Sequence, residues 1–192
     1  MYERFFQQFQ EKVPLTQTEQ DLIKTFLKPK KLRKKQYLLQ EEDVCKFIAF
    51  VEKGVLRSFS VNEKGVESIM QFAPEGWVIS DLYSFLTGEP SRYNIEALED
   101  AELVLISKKA HETMLQELPK YETYNRLQVT NAYIAMQRRL TSVISLALEE
   151  RYTLFMKLYP DMMQRVPQHM IAAYMGVTPE TLSRVRKRIA TQ

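Results

Sequence analysis

The sequence predicts an α+β protein: an antiparallel β-roll, then one long helix, then two short helices joined by a tight turn. Three observations carry this. Four of the five glycines, Gly54, Gly65, Gly76 and Gly88, fall 11, 11 and 12 residues apart. Strands parted by turns at that spacing form an antiparallel sandwich or barrel. From Lys120 to Ala147 there is neither Gly nor Pro, and the apolar residues recur with helical period. The block IAAYMGVTPETLSRVRKRIA, Ile171–Ala190, has the breaks and spacing of a helix pair.

Between the glycines lie FIAFVEKG, VLRSFSV and VESIMQF, the central strands of the roll. Asn62-Glu63-Lys64-Gly65 reads as a hairpin tip. KLRKKQYLL supplies a first strand and AELVLIS, Ala101–Ser107, a last one. Ahead of the roll, Thr16 and Glu19 fit a capping box that opens a short helix.

The pattern changes near Pro119. Val129, Tyr133, Met136, Leu140, Val143 and Ala147 step by 4, 3, 4, 3 and 4, the seam of a coiled coil. A helix from Lys120 to Ala147 is roughly 40 Å long. Such a helix packs on its own roll or on a second copy of itself. Its length outreaches a small sandwich, which favours the dimer. Pro160 stops the next helix, around Glu149–Tyr159, and DMMQRVP connects to the final block. The expected domains are 1–118 for the roll, 119–148 for the long helix and 149–192 for the C-terminal helices.

In the final block, Pro167 suits the first turn of a helix. Ile171, Ala172 and Met175 give it one apolar face. Gly176 ends it, because a left-handed residue is cheap only for Gly. Thr178 is a natural N-cap and Pro179 a natural first residue for the second helix. That helix buries Leu182, Val185 and Ile189 and shows Glu180, Thr181, Ser183, Arg184, Lys187 and Arg188. A basic second helix after a Gly turn reads as a helix-turn-helix, which predicts double-stranded DNA as partner, with a helical hairpin carrying a solvated basic face as the alternative. Arg184 suits guanine and Glu180 suits cytosine. Thr181 and Ser183 suit bases or phosphates, while Arg186, Lys187 and Arg188 suit phosphates. Gln168 and His169, at the start of the first helix, reach for the backbone, or His169 is an exposed residue with no role.

A β-roll, a dimer helix and a C-terminal helix-turn-helix together resemble the Crp-Fnr family of transcription regulators. The resemblance covers nearly the whole chain and is most specific in AAYMGVTPETLSRVRK. It implies a jelly roll like a cyclic-nucleotide-binding domain, a homodimer on a near-palindromic site, and RNA polymerase as a candidate further partner. Glu180 and Arg184 sit where the family reads bases. Pro160–Val166 is too short for much of the β-hairpin wing that most members carry before the motif.

The family's effector cassette has the pattern Gly-Glu-Leu, a helical turn, then Arg-Ser/Thr-Ala. Here Ser80-Asp81-Leu82 and Ser91-Arg92-Tyr93 align with it. Each departure works against cyclic AMP. Ser80 adds a Cβ where backbone meets phosphate. Asp81 is a methylene short. Arg92 moves one strand position and so to the other face. Tyr93 takes up ligand space. On the long helix, Met136 and Gln137 fall where cyclic-AMP binders place small hydroxyl residues. Arg92 and Asp81 either take another polar ligand or are structural, and the effector stays unnamed.

Composition narrows the alternatives. Hydrophobic residues are 45% of the chain and the net charge is +3, so the distribution of basic residues matters more than their total. No apolar run reaches the ~18 residues of a membrane helix, and the N-terminus lacks a signal-peptide core. A cytoplasmic location is expected. The single cysteine, Cys45, makes no internal disulfide and no Cys-ligated iron–sulfur cluster of the kind the Fnr branch uses. As an axial haem ligand it is alone among the strands, and a packing role is the default. No histidine precedes His111, so a metal-dependent cupin enzyme is disfavoured, and no metal site or catalytic pair is expected. A cyclic-nucleotide sensor acting on a protein partner is the alternative, but it leaves the helix-turn-helix unexplained. Lys28–Lys35 carries six basic residues, either a solvated strand face or a surface for DNA or an acidic partner. Trp77, Tyr83 and Phe85 line either a pocket or the core.

Overall fold

Local signals place the first elements of the structure, a computed structural model that describes residues 2–190. Helix α1 (Glu3–Lys12) buries Phe5 and Phe9, four apart on one face. Its free N–H groups are met from elsewhere. Glu52 Oε1 accepts from Phe5 N at 2.7 Å and Glu52 Oε2 from Arg4 N at 3.2 Å, a carboxylate at the positive end of a helix. Helix α2 (Gln17–Thr25) opens on the expected capping box. Thr16 Oγ1 accepts from Glu19 N, and Glu19 Oε2 accepts from Thr16 N at 2.8 Å.

Eight strands follow: β1 (Leu27–Leu32), β2 (Tyr37–Leu39), β3 (Phe47–Lys53), β4 (Leu56–Val61), β5 (Glu67–Ala73), β6 (Val78–Ile79), β7 (Asn94–Ala97) and β8 (Ala101–Ser107). They form two four-stranded sheets, ordered β1-β8-β3-β6 and β2-β7-β4-β5. AELVLIS is the last strand as expected. KLRKKQYLL is two strands rather than one. The chain turns at Arg33–Gln36, with Lys35 at φ +69, and passes from the first sheet to the second. Pro29 sits in β1, an edge strand, where a missing N–H is tolerated.

The core between the sheets is built from alternate residues of facing strands, among them Leu39, Val51, Leu56, Ile79, Ile95, Leu103 and Leu105. Strands β3 and β8 are covered on their other face too. There Phe50, Val104 and Ile106 meet Phe5, Phe9, Ile23 and Tyr124. That double burial is why AELVLIS is nearly all apolar. Phe9 stacks on Tyr124 with ring centroids 4.1 Å apart. On β4 and β7, Arg57 and Glu96 are register partners and form a buried ion pair at 2.8 Å.

After β6 comes α3 (Leu82–Thr87), and after β8 come α4 (Lys108–Glu117), α5 (Pro119–Ser145), α6 (Leu148–Leu158), α7 (Met162–Arg165), α8 (Gln168–Met175) and α9 (Pro179–Ala190). The long helix exists, but it ends at Ser145. Ala147, expected on its seam, instead precedes α6, with its backbone N–H bound by Glu150 Oε2 at 2.9 Å. DMMQRVP, expected as a plain connection, contains the single turn α7. Pro167 precedes α8 rather than starting it.

The chain forms two units. The first holds the described residues up to 61 and residues 70–128, which includes the opening turns of α5, anchored by buried Tyr121 and Tyr124. The second holds the hairpin tip 62–69 and the described residues from 129 to 190. In it α8 packs on α9, and α6 touches both. Its buried residues include Tyr152, Phe155, Met162, Ile171, Ala172, Met175, Leu182 and Val185.

Candidate nucleic-acid interface and effector cassette

The turn between α8 and α9 is set by backbone hydrogen bonds that need Gly176. Its φ is +70, and its N–H and that of Val177 bond back to the carbonyls of Ala173 (3.3 Å) and Ala172 (3.0 Å). This is a Schellman ending. Thr178 then caps α9, its Oγ1 accepting from Thr181 N at 3.3 Å, with Pro179 as first helical residue. Leu182 and Val185 are buried on α9 and Ile189 partly so, and Ile171, Ala172 and Met175 are buried on α8, which packs on it.

With those residues inside, Glu180, Ser183, Arg184, Lys187 and Arg188 are exposed. They recur at i, i+3, i+4, i+7 and i+8 and so share one stripe of α9. Glu180 is held below the usual carboxylate range by its own backbone N–H first, then by Thr178 and Arg184. It is therefore an acceptor at neutral pH. Arg184 Nη2 lies 3.3 Å from Thr181 Oγ1, which steadies the guanidinium over the first turn. Arg188 is engaged with the Glu149 carboxylate of α6. His169 is exposed at the start of α8. Gln168 beside it is half-buried, and its Oε1 is buried with no hydrogen-bond partner among the described residues.

The cassette residues bind one another. Asp81 caps α3, its Oδ1 accepting from Ser84 N at 3.1 Å, while its Oδ2 accepts from Ser91 Oγ at 2.7 Å. Ser84 Oγ accepts from Cys45 N at 2.9 Å and donates to Glu89 O. Asp81, Ser84 and Ser91 are all buried. Ser80 Oγ sits 3.4 Å from Cys45 Sγ and 3.3 Å from Phe47 O. Arg92 and Leu82 are exposed and Tyr93 is half-buried, so Arg92 is not part of the buried polar cluster. Phe85 is core, Tyr83 is exposed with its hydroxyl on Glu89, and Trp77 packs partly buried on the core. A cavity of about 210 Å³ lies beside the cassette, lined by Leu38, Leu39, Val44, Cys45, Phe47 and Ile95 with Asp43 and Lys46. It is smaller than the roughly 300–1,000 Å³ of typical small-molecule sites.

The apolar seam of α5 is exposed on the single chain. Val129 is 49% exposed, Tyr133 54%, Met136 62%, Leu140 59% and Val143 48%. Gln137 Nε2 donates to Tyr133 Oη at 3.0 Å. Met136 and Gln137 lie in the second unit, whereas Ser80, Asp81, Leu82, Ser91, Arg92 and Tyr93 lie in the first.

The sequence reading missed Arg139, Arg151 and Glu149, whose side chains bind within the helix-turn-helix unit. No periodicity marks them, because each acts on a distant partner. Among the described residues no strand follows β8, no helix is long and apolar enough to cross a membrane, and no cluster of His, Cys, Asp or Glu could hold a metal ion.

Residues 29–118 match the cyclic nucleotide-binding domain family. No curated protein sequence is detectably similar to the chain. Solved structures are. FixK2 from Bradyrhizobium japonicum is 19% identical, with TM-score 0.72, over 86% of this chain and 85% of that one. A transcriptional regulator of the Crp/Fnr family from Eubacterium rectale is 15% identical, with TM-score 0.71, over 92% and 84%. The c-di-GMP-responsive regulator CLP from Xanthomonas campestris is 14% identical, with TM-score 0.70, over 91% of both chains. Residues 29–118 are thus similar to the cyclic nucleotide-binding domain family, and the chain shares its fold with regulators of the Crp/Fnr family.

Proposed function

We propose that the protein is a homodimeric transcription regulator that reads a near-palindromic DNA site through α9. The observation that carries this is the stripe Glu180, Ser183, Arg184 and Lys187, exposed on a helix whose other face is locked to α8. Arg184 reads guanine and Glu180 cytosine, while Thr178, Thr181, Ser183, Lys187 and His169 hold the backbone or neighbouring bases. Arg188 exchanges Glu149 for phosphate on binding. Gln168 orients the start of α8. The dimer forms on Val129, Tyr133, Met136, Leu140 and Val143, placing two reading helices about 34 Å apart. RNA polymerase is the downstream partner in this reading.

The effector is not cyclic AMP. Asp81 and Ser91 bind one another, and Arg92, the nearest arginine in the sequence, is exposed rather than turned to their buried pair. The test is selection of bound sequences from a random DNA pool, followed by binding of the selected duplex. Enrichment of a two-fold-symmetric site supports the reading, and no enrichment at low salt overturns it. Titration of cyclic AMP, cyclic GMP and c-di-GMP, the last because CLP responds to it, checks the effector. A micromolar affinity for cyclic AMP would overturn its exclusion as effector.

A further inference from the structure

Helix α8 ends with its last carbonyls facing arginines from two other helices. Arg139 on α5 donates from Nη2 to Tyr174 O at 3.1 Å, and Arg151 on α6 donates from Nη2 to Met175 O at 2.7 Å. These charges meet the negative end of a helix. Arg139 does more than terminate it. The same Nη2 donates to Ile69 O, also at 3.1 Å. That nitrogen carries two hydrogens, one for each carbonyl. The guanidinium lies over the Tyr174 ring, 4.0 Å from its centroid, and that ring rests 5.3 Å from Phe155. One half-buried group therefore joins the hairpin 62–69 to the first helix of the helix-turn-helix.

We propose that Arg139 is a positioning residue that couples the β4–β5 hairpin to the helix-turn-helix. The planar, stacked guanidinium fixes both carbonyls in one geometry, which a flexible ammonium does not. The hairpin continues into β4, and β4 pairs with β7, the strand that follows Ser91 and Tyr93. The consequence for DNA rests on the function proposed above; the coupling itself does not.

The test is amide hydrogen exchange on the full chain, comparing wild type with Arg139→Gln and Arg151→Gln. Arg139→Gln should speed exchange about tenfold at the hairpin amides of Asn62 and Val66 and equally at Gly176 and Val177. Arg151→Gln should speed only Gly176 and Val177. If Arg139→Gln leaves the hairpin at wild-type rates, Arg139 merely terminates α8 and the proposal fails. Should Arg139→Gln unfold, Arg139→Lys decides, with the two-segment pattern supporting the coupling and the one-segment pattern overturning it. Binding of the random DNA pool, measured alongside, separates the two readings. A wild type that binds no DNA sinks the function and leaves the exchange result standing.

Discussion

Ser91 donates its hydroxyl to Asp81 at 2.7 Å, and both side chains are buried. The pair closes the loop that starts at Ser80 and ends at Tyr93. Removing one partner leaves the other buried and short of a hydrogen bond, which costs about 1–3 kcal/mol. Ser91→Ala should therefore lower stability by that amount in urea unfolding. If Ser91 instead holds a ligand, the substitution would leave the free protein's stability unchanged and weaken binding.

Arg184 and Lys187 share the exposed stripe of α9 but should fail differently. Arg184→Ala should cost about 1–3 kcal/mol on the selected site and little on random duplex. Lys187→Ala should weaken both alike and reduce the salt slope by about one. Fluorescence anisotropy at several salt concentrations measures both. Equal losses for the two variants on both duplexes would place Arg184 on phosphate rather than on a base.

The helix-turn-helix was legible because its signals are local. Gly176, Thr178 and Pro179 each fix one backbone geometry, and Leu182 and Val185 mark one face. The same holds for the capping box at Thr16 and the hairpin at Asn62–Gly65. The misses depend on distant partners. KLRKKQYLL divides into two strands because Leu32 and Leu39 belong to different sheets, a fact about β8 and β7. β7 was unread because Glu96 breaks the apolar run, and its register partner Arg57 makes that burial tolerable. The closure of the cassette was half legible. The changed residues were visible in the sequence, but Ser91 bonding Asp81 needed the fold.

Gly54 and Gly65 both have positive φ, +94 and +76, yet they should respond unequally to alanine. At Gly65 an added Cβ meets nothing within 4 Å, so only backbone strain counts, about 1–2 kcal/mol. At Gly54 it would lie 2.8 Å from Asp100 O and 2.9 Å from Ala101 Cα, both backbone. Gly54→Ala should therefore destabilise by well over about 2 kcal/mol, since strain and clash add. Thermal melts of the two variants check the order. Equal melting temperatures would mean that the β3–β4 turn yields freely.

Glu19 joins the capping box of α2 to Lys120 at 2.8 Å. Lys120 first, then the Thr16 backbone and hydroxyl, lowers its pKa from 4.5 to about 2. A carboxylate lowered on folding adds stability that is full above the unfolded value. That stability is lost as pH falls through the folded one. The window is therefore about pH 4.5 to 2. Glu19→Gln keeps an acceptor but cannot titrate. Between pH 6 and pH 3 its urea midpoint should fall less than that of wild type. Parallel curves would mean that the Lys120 contact is not kept in solution.

Leu140 stands at the centre of the exposed stripe on α5, 59% exposed, with Met136 and Val143 on either side at 62% and 48%. Apolar residues in a coiled-coil seam gain about 25 cal/mol for each Å² they remove from water. In the proposed dimer a glutamate there would face its copy across the two-fold axis, adding like-charge repulsion to the lost burial. Leu140→Glu should turn a dimer into a monomer in sedimentation velocity and leave α8 and α9 folded by circular dichroism. It should also weaken the palindromic duplex far more than a half-site, because only the full site uses both copies. A Leu140→Glu protein that still sediments as a dimer would move the interface off this stripe.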